Sequence, residues 1–343
     1  MSHSPLQSSG SISLNEVHVE INSNNNGLSV SMGDTDLRNM ADISSGTISL
    51  SDFYGTTNQV DFTPNPATRG GFNYSANMVV SDFITTGQRF YIPSNFILSA
   101  IDTDDNALTI DVQNCTVIND GIIMGKGGAG GQYGRPIFYS VSSAEDGGRA
   151  IYVTASGVTI INNGYICGGG GGGGAAYTST FDQNAGGGGG AGGGDGGDAH
   201  PTGVAPGGNG GLQGLIGGNG RDTSGNHIGG QGGTAGGGGD SIFGTQASGG
   251  SGGVGGGGGG RIVPGVGGGN DLTGTTANGG SAGNAGNGVG GGVTNVSGGG
   301  GGYGASGGTG GGSTNQPGGS GGQAIFGTYS ATFFNNGTIY GST

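Results

Sequence analysis

Residues able to do acid–base, nucleophilic or metal chemistry are few in this 343-residue chain, and their spacing gives them no common task. The four histidines, His3, His18, His200 and His227, have no neighbours at metal-ligand spacing. Asp102, Asp104, Asp105, Asp111 and Asp120 could supply the acid/base pair of a polysaccharide-degrading β-helix, but they stand among turn residues and read as solvated. Matches to Gly-x-Gly-x-x-Gly are numerous and carry no information, because the strand, helix and downstream acid that give the motif meaning are missing. Gly125-Lys126-Gly127 lacks the hydroxyl residue and spacing of a phosphate loop. Gly193–Asp198 and Gly217–Asp222 copy the core of a calcium β-roll, yet they lie 24 residues apart. That repeat needs about nine. His200 and Ser224 also stand where it needs an apolar residue. The sequence therefore assigns no catalytic residue, no metal site and no cofactor.

What the chain has instead is glycine, 96 residues of it, of which 74 fall between Gly168 and Gly322. Average usage is about 7%. The formal net charge is −13, with Lys126 the sole lysine and seven scattered arginines, so the clustered cations that phosphate contacts require are absent. The first ten residues have neither a basic nor an apolar region of a signal peptide. No apolar run approaches the roughly 20 residues of a membrane helix. The expectation is a soluble product of the cytoplasm, without membrane insertion, in which Cys115 and Cys167 are reduced and partly buried thiols.

Residues 1–55 contain a repeat. Ser11–Glu16, Ser29–Asp34 and Thr47–Asp52 share the order hydroxyl, aliphatic, Ser, Leu/Met, small or polar, acid, with starts 18 residues apart. The alternation predicts short strands that put Ile12 with Leu14, Val30 with Met32 and Ile48 with Leu50 on one face. The acid can cap a helical turn, as Asp34 could for Thr35–Met40. Three equal units suit a pseudo-threefold module seated on the end of a homotrimer. Those six aliphatic residues are thus the candidate attachment residues, and a small β module that merely reflects duplication is the plainer alternative.

Residues 56–167 read as β structure. Gly87–Pro93, Phe96–Ile101 and Leu108–Val112 have strand composition, and Asp102–Asn106 marks a turn. A second repeat, Thr116–Gly125, returns as Thr159–Gly168 and again as Thr332–Gly341, each time with Asn-Gly or Asp-Gly between apolar runs. Such a pair predicts a tight turn with positive φ. Copies on both sides of the glycine stretch imply neighbouring places in one β framework, so the intervening residues leave it as a compact lobe and residues 323–343 return to it.

Nearly half of residues 168–322 are glycine. Strict Gly-X-Y is absent and the chain has only nine prolines, which excludes collagen. Disorder competes with a bundle of left-handed polyglycine II helices, about three residues per turn and 3.1 Å rise, whose peptide groups pair only with neighbouring helices. Ordering each residue costs roughly 1–2 kcal/mol. A hydrogen bond returns about 0.5–1.5, so only a multi-helix bundle with most groups paired is stable. Short non-glycine segments at regular intervals, such as Ala175–Ala185, Leu212–Ile216 and Asp240–Ser248, favour the bundle. The predicted fold is mainly β and irregular, with small β repeats, a polyglycine II lobe and almost no α-helix.

The segments Ser9–Glu16 and Ser45–Gly55 resemble stretches that recur in tail and fibre proteins of tailed bacteriophages. The alternation of glycine runs with short segments is similar to the tip adhesins of T-even-like long tail fibres. That resemblance implies a rigid polyglycine sandwich whose end loops touch the host receptor, an outer-surface protein or polysaccharide. It also implies a virion location in the tail, after assembly in the host cytoplasm. Within the loops it makes Tyr177, Phe181, His200, Leu215, Ile216, His227, Phe243 and Tyr303 the candidate receptor contacts, since aromatic side chains give contact area at low entropic cost. Plugging the ends of the lobe is the alternative role for such residues. At the level of the whole chain, a structural tail or capsid-decoration protein and a glycine-rich ice-binding protein are the competing readings.

Overall fold

The structure is a computed structural model that describes residues 6–22, 31–41, 43, 45–55, 59–61, 73–75, 77–132, 143–175, 186–197, 280–281, 283–285, 297–311 and 316–343. The described part of the first 55 residues builds helical turns in place of the expected strands. Ser13 precedes α1 (Leu14–Asn22), Ser31 leads into α2 (Thr35–Met40), and Ser49 caps a 3-10 turn at Leu50–Phe53. In each unit the acid three residues on accepts the Ser backbone N–H. Ser13 donates to Glu16 Oε2 at 2.6 Å, Ser31 to Asp34 Oδ2 at 2.8 Å and Ser49 to Asp52 Oδ2 at 2.7 Å. At Ser13 and Ser49 they belong to a reciprocal capping box, whereas the Ser31 hydroxyl accepts from the Gly33 N–H instead, and these bonds prevail because a three-residue alternation finds no strand to pair with. The Ser13 N–H and hydroxyl hold the Glu16 carboxyl below its ordinary pKa.

Ile12 and Ile48 are buried with Val17, Leu37, Met40 and Phe53 in a small core that Leu14 and Met32 partly join. Leu50 is exposed. Val30 lies outside the described residues. An ion pair between Glu20 of α1 and Arg89, 3.4 Å apart and both buried, ties this module to the β region. Burial pushes the Arg89 guanidinium pKa down, and the Glu20 carboxylate opposes that shift.

The β region is a parallel solenoid of three faces. Its first turn is β1 (Gln59–Asp61), β2 (Asn73–Ser75) and β3 (Met78–Val79), and its second is β4 (Arg89–Ile92), β5 (Ile97–Ser99) and β6 (Asn106–Ile110). The third is β7 (Thr116–Asn119), β8 (Ile122–Met124) and β9 (Arg149–Val153), and the fourth is β10 (Thr159–Asn162), β11 (Tyr165–Cys167) and β12 (Ile325–Gly327). β13 (Thr332–Asn335) and β14 (Thr338–Tyr340) lie in the fifth. The first face stacks β1-β4-β7-β10-β13, the second β2-β5-β8-β11-β14 and the third β3-β6-β9-β12.

Register stacks like side chains into columns that fill the interior. Phe90, Val117, Ile160 and Phe333 align on the first face. Leu98, Ile123, Ile166 and Ile339 align on the second, and Met78, Leu108, Ile151 and Ile325 on the third. Most of these are fully buried in one cluster.

The three repeat copies form one corner, between the first and second faces. Asn119 Nδ2 donates to Asn162 Oδ1, and Asn162 Nδ2 donates to Asn335 Oδ1, both at 2.8 Å. A second ladder runs outside it, with Asn163 Nδ2 donating to Asp120 Oδ1 at 2.7 Å and Asn336 Nδ2 to Asn163 Oδ1 at 2.9 Å. Positive φ is not found at Gly121, Gly164 or Gly337, contrary to the turn expected from the dipeptides. Glycine is needed there because turns stack closely. A Cβ on Gly164 would fall on the Gly121 carbonyl oxygen, and one on Gly337 on that of Gly164.

Asn162 is fully buried with partners above and below. Asn162→Ala should therefore cost about 2–4 kcal/mol in chemical denaturation. Asn336→Ala, on the outer exposed ladder, should cost under about 1 kcal/mol.

Candidate functional site

Between the second and third faces the solenoid turns a corner four times. The first two crossings are short, residues 76–77 and 100–105. The next two are long, residues 125–148 and 168–324, and both are rich in glycine. The lobe therefore grows from one corner of successive turns. Residues 125–132 and 143–148 belong to it, although in sequence they read as part of the β region.

At its centre lies the run Gly168–Gly174, with every backbone N–H and C=O bonded to another segment. Gly169 and Gly172 donate to Gly148 and Glu145, Gly170 and Gly173 to Ala191 and Gly188, and Gly171 and Gly174 to Ala305 and Gly308, at 2.7–3.0 Å. The carbonyls rotate in the same way. Those of Gly169 and Gly172 accept from Gly322 and Gly319, those of Gly170 and Gly173 from Gly128 and Gly131, and those of Gly171 and Gly174 from Gly301 and Gly298, at 2.7–2.9 Å. Donors thus address three segments in turn and acceptors three others, with the partner repeating every third residue. Gly168 closes the base, donating to the Tyr340 carbonyl and accepting from Gly304.

This arrangement leaves no room for a methyl group. A Cβ on Gly170 would lie on the Gly301 carbonyl oxygen, on Gly171 on that of Gly319, and on Gly173 on that of Gly298. Register comes from the solenoid. Met124 of β8 pairs with Cys167 of β11, and beyond them Gly125, Gly128 and Gly131 donate to the carbonyls of Cys167, Gly170 and Gly173 without slip.

The base of the lobe is fixed by side chains. Ala191 and Tyr303 pack with Ile122, Met124 and Cys167 on the outer side of the second face, and the Tyr303 hydroxyl lies 3.5 Å from Met124 Sδ. Tyr303 is only 1% exposed, so it is a packing residue and not the surface contact expected of it. The other receptor candidates, Tyr177, Phe181, His200, Leu215, Ile216, His227 and Phe243, lie outside the described residues. Cys115 and Cys167 are both buried thiols, and burial pushes the Cys115 thiol up to about 12. Among the described residues no group of three or more His, Cys, Asp or Glu could hold a metal ion, and no helix is long and apolar enough to cross a membrane.

Gly171→Ala should lower stability by about 4 kcal/mol or more, because the obstructing atoms are backbone and cannot turn aside. Gly33→Ala, whose Cβ would meet only Ser31 Oγ at 3.8 Å, should stay within about 1 kcal/mol of the parent in the same thermal or denaturant unfolding experiment.

Comparison with solved structures finds the crystal structure of the gp37–gp38 adhesin tip complex of the bacteriophage S16 long tail fibre, at 20% identity and a TM-score of 0.46, over 89% of this chain and 90% of that one. No curated protein matches. The sequence model of the phage tail fibre adhesin Gp38 family matches residues 67–241. That stretch spans just over half of the chain and takes in strands β2 to β11 of the solenoid and the start of the glycine-rich stretch, and the chain belongs to the phage tail fibre adhesin Gp38 family.

Proposed function

We propose that this adhesin is the receptor-binding tip of a tail fibre, with its glycine lobe acting as a stiff platform that presents the connecting loops to the host surface. The observation that carries this reading is the central run Gly168–Gly174, bonded on all sides in a three-residue rotation. Three residues per turn without internal hydrogen bonds is the geometry of polyglycine II, and the lobe is inferred to be a bundle of such helices. A stiff platform matters for recognition because loops held in place lose less entropy on binding. The receptor is a protein or polysaccharide of the host outer surface, and Tyr177, Phe181, His200, Leu215, Ile216, His227 and Phe243 remain the proposed contacts. The family match gives no support to a capsid-decoration or ice-binding role.

Attachment to the fibre is assigned to the amino-terminal module. Its support is the bond from the Ser backbone N–H to the acid three residues on, common to Ser13, Ser31 and Ser49, which gives three similar turns suited to a homotrimeric partner. The exposed Leu50 is the side chain of that set best placed to meet a partner, while Ile12 and Ile48 support it from the core.

Purified protein at saturation should block phage adsorption to susceptible cells, and exchange of the segment around Phe181 or Phe243 for that of a relative with another host should change which cells are protected. Unimpeded adsorption at saturation would remove the receptor role. Native-state hydrogen exchange should find the amides of Gly168–Gly174 among the slowest in the chain, and rapid exchange there would contradict the stiff platform. Mass measurement of the assembled fibre tip should give one copy per trimer, whereas three copies per trimer would refute the pseudo-threefold docking.

A further inference from the structure

Away from the lobe, the last turns of the solenoid carry an aromatic surface that the loop-based reading does not use. On the outer side of the third face Phe326 of β12 stacks on Tyr152 of β9, with centroids 5.4 Å apart and planes at 16°. The Arg149 guanidinium lies 4.5 Å from the Phe326 ring centroid. Tyr152 and Arg149 thus fix the Phe326 ring in place, yet Phe326 remains 36% exposed and the nearby Tyr329 51%. Beside them opens a hollow of about 320 Å³ with an apolar floor of Val153, Ile325 and Phe333. Thr328, Tyr329 and Ser330 also line it, the Thr328 hydroxyl lying 3.3 Å from that of Tyr152.

Charge and size narrow the occupant. Residues 323–343 contain no Asp, Glu, Lys or Arg. Arg149 lines a second hollow together with Asp104, Glu145 and Asp146, and the chain as a whole carries −13, so an anionic ligand is disfavoured. The volume is at the low end of small-ligand pockets, roughly 300–1,000 Å³. A neutral ring with one C–H face and a hydroxyl edge matches both the aromatic wall and the hydroxyl-bearing residues.

We propose that this hollow takes a neutral pyranose ring of the host surface, its C–H face against Tyr329 and Phe326 and its hydroxyls against Thr328 and Ser330. The proposal rests on the adhesin reading and adds a second, lateral contact to it. A pre-set aromatic wall contributes contact area without ordering cost, as in other recognition surfaces.

The test is saturation-transfer NMR on the full chain with methyl α-D-glucopyranoside, methyl α-D-mannopyranoside and methyl β-D-galactopyranoside as probes. At least one should give saturable transfer. Tyr329→Ala, at a half-exposed position, should bind that glycoside about tenfold more weakly. Tyr329→Phe, which keeps the ring, should bind close to wild type. Absence of saturable transfer from all three glycosides, or unchanged binding by Tyr329→Ala, overturns the proposal. So does a concentration-dependent dimer in sedimentation velocity that disappears in Tyr329→Ala, because the face would then be an interface between two copies of this chain. Failure of the wild-type protein to block adsorption would remove the adhesin reading, while the glycoside titration reads the hollow itself.

Discussion

A buried peptide group must be hydrogen-bonded, and along Gly168–Gly174 there is no side chain or local helix to do it. Each N–H and C=O of Gly168–Gly174 is satisfied only by another segment lying at the right height and azimuth. That requirement cannot be met by one run alone, so the segments form together or not at all. It also explains why the composition is so extreme. The oxygen that accepts each bond lies against the position a Cβ would occupy on a neighbouring residue, and only glycine leaves the space.

Such a lattice needs a starting register, since a uniform glycine chain has nothing to distinguish one height from the next. The solenoid supplies it. The pairing of β8 with β11 runs on into Gly125–Gly131 against Cys167–Gly173 with the same offset. The Asn ladders and apolar columns fix the solenoid, and Tyr303 and Ala191 fasten the lobe to its second face. At the other end the buried Glu20–Arg89 pair joins the helical module to the first face. Breaking one partner of such a pair strands a buried charge, so the junction resists sliding.

Parts of this are legible in the sequence because they are written in side chains. The copies at Thr116, Thr159 and Thr332 stack in register, as their matching Asn and apolar positions suggest. The same copies mislead on conformation, because Asp-Gly and Asn-Gly signal a tight turn in isolation, whereas here glycine answers crowding between layers. The amino-terminal repeat is visible in the sequence but its structure is not. Its serines and acids serve equally as strand alternation and as caps of helical turns, and only the second finds partners. Residues 125–148 blend into the β region because their glycines are too few to stand out. The signal that marks them is spacing, with Gly125, Gly128 and Gly131 three apart. Tyr303 reads as a surface residue because nothing in a glycine-rich setting shows that a solenoid face lies behind it.

The three-residue rotation has a consequence for how such a protein can change over generations. Adding or removing one or two residues inside a lattice segment would swing every later peptide toward the wrong neighbour, whereas a change of three restores the original facing. Segment length is therefore quantised, while the stretches that join segments are under no such rule. Within the lattice, length can change only in steps of three if every later peptide is to keep its neighbour and the frame its register.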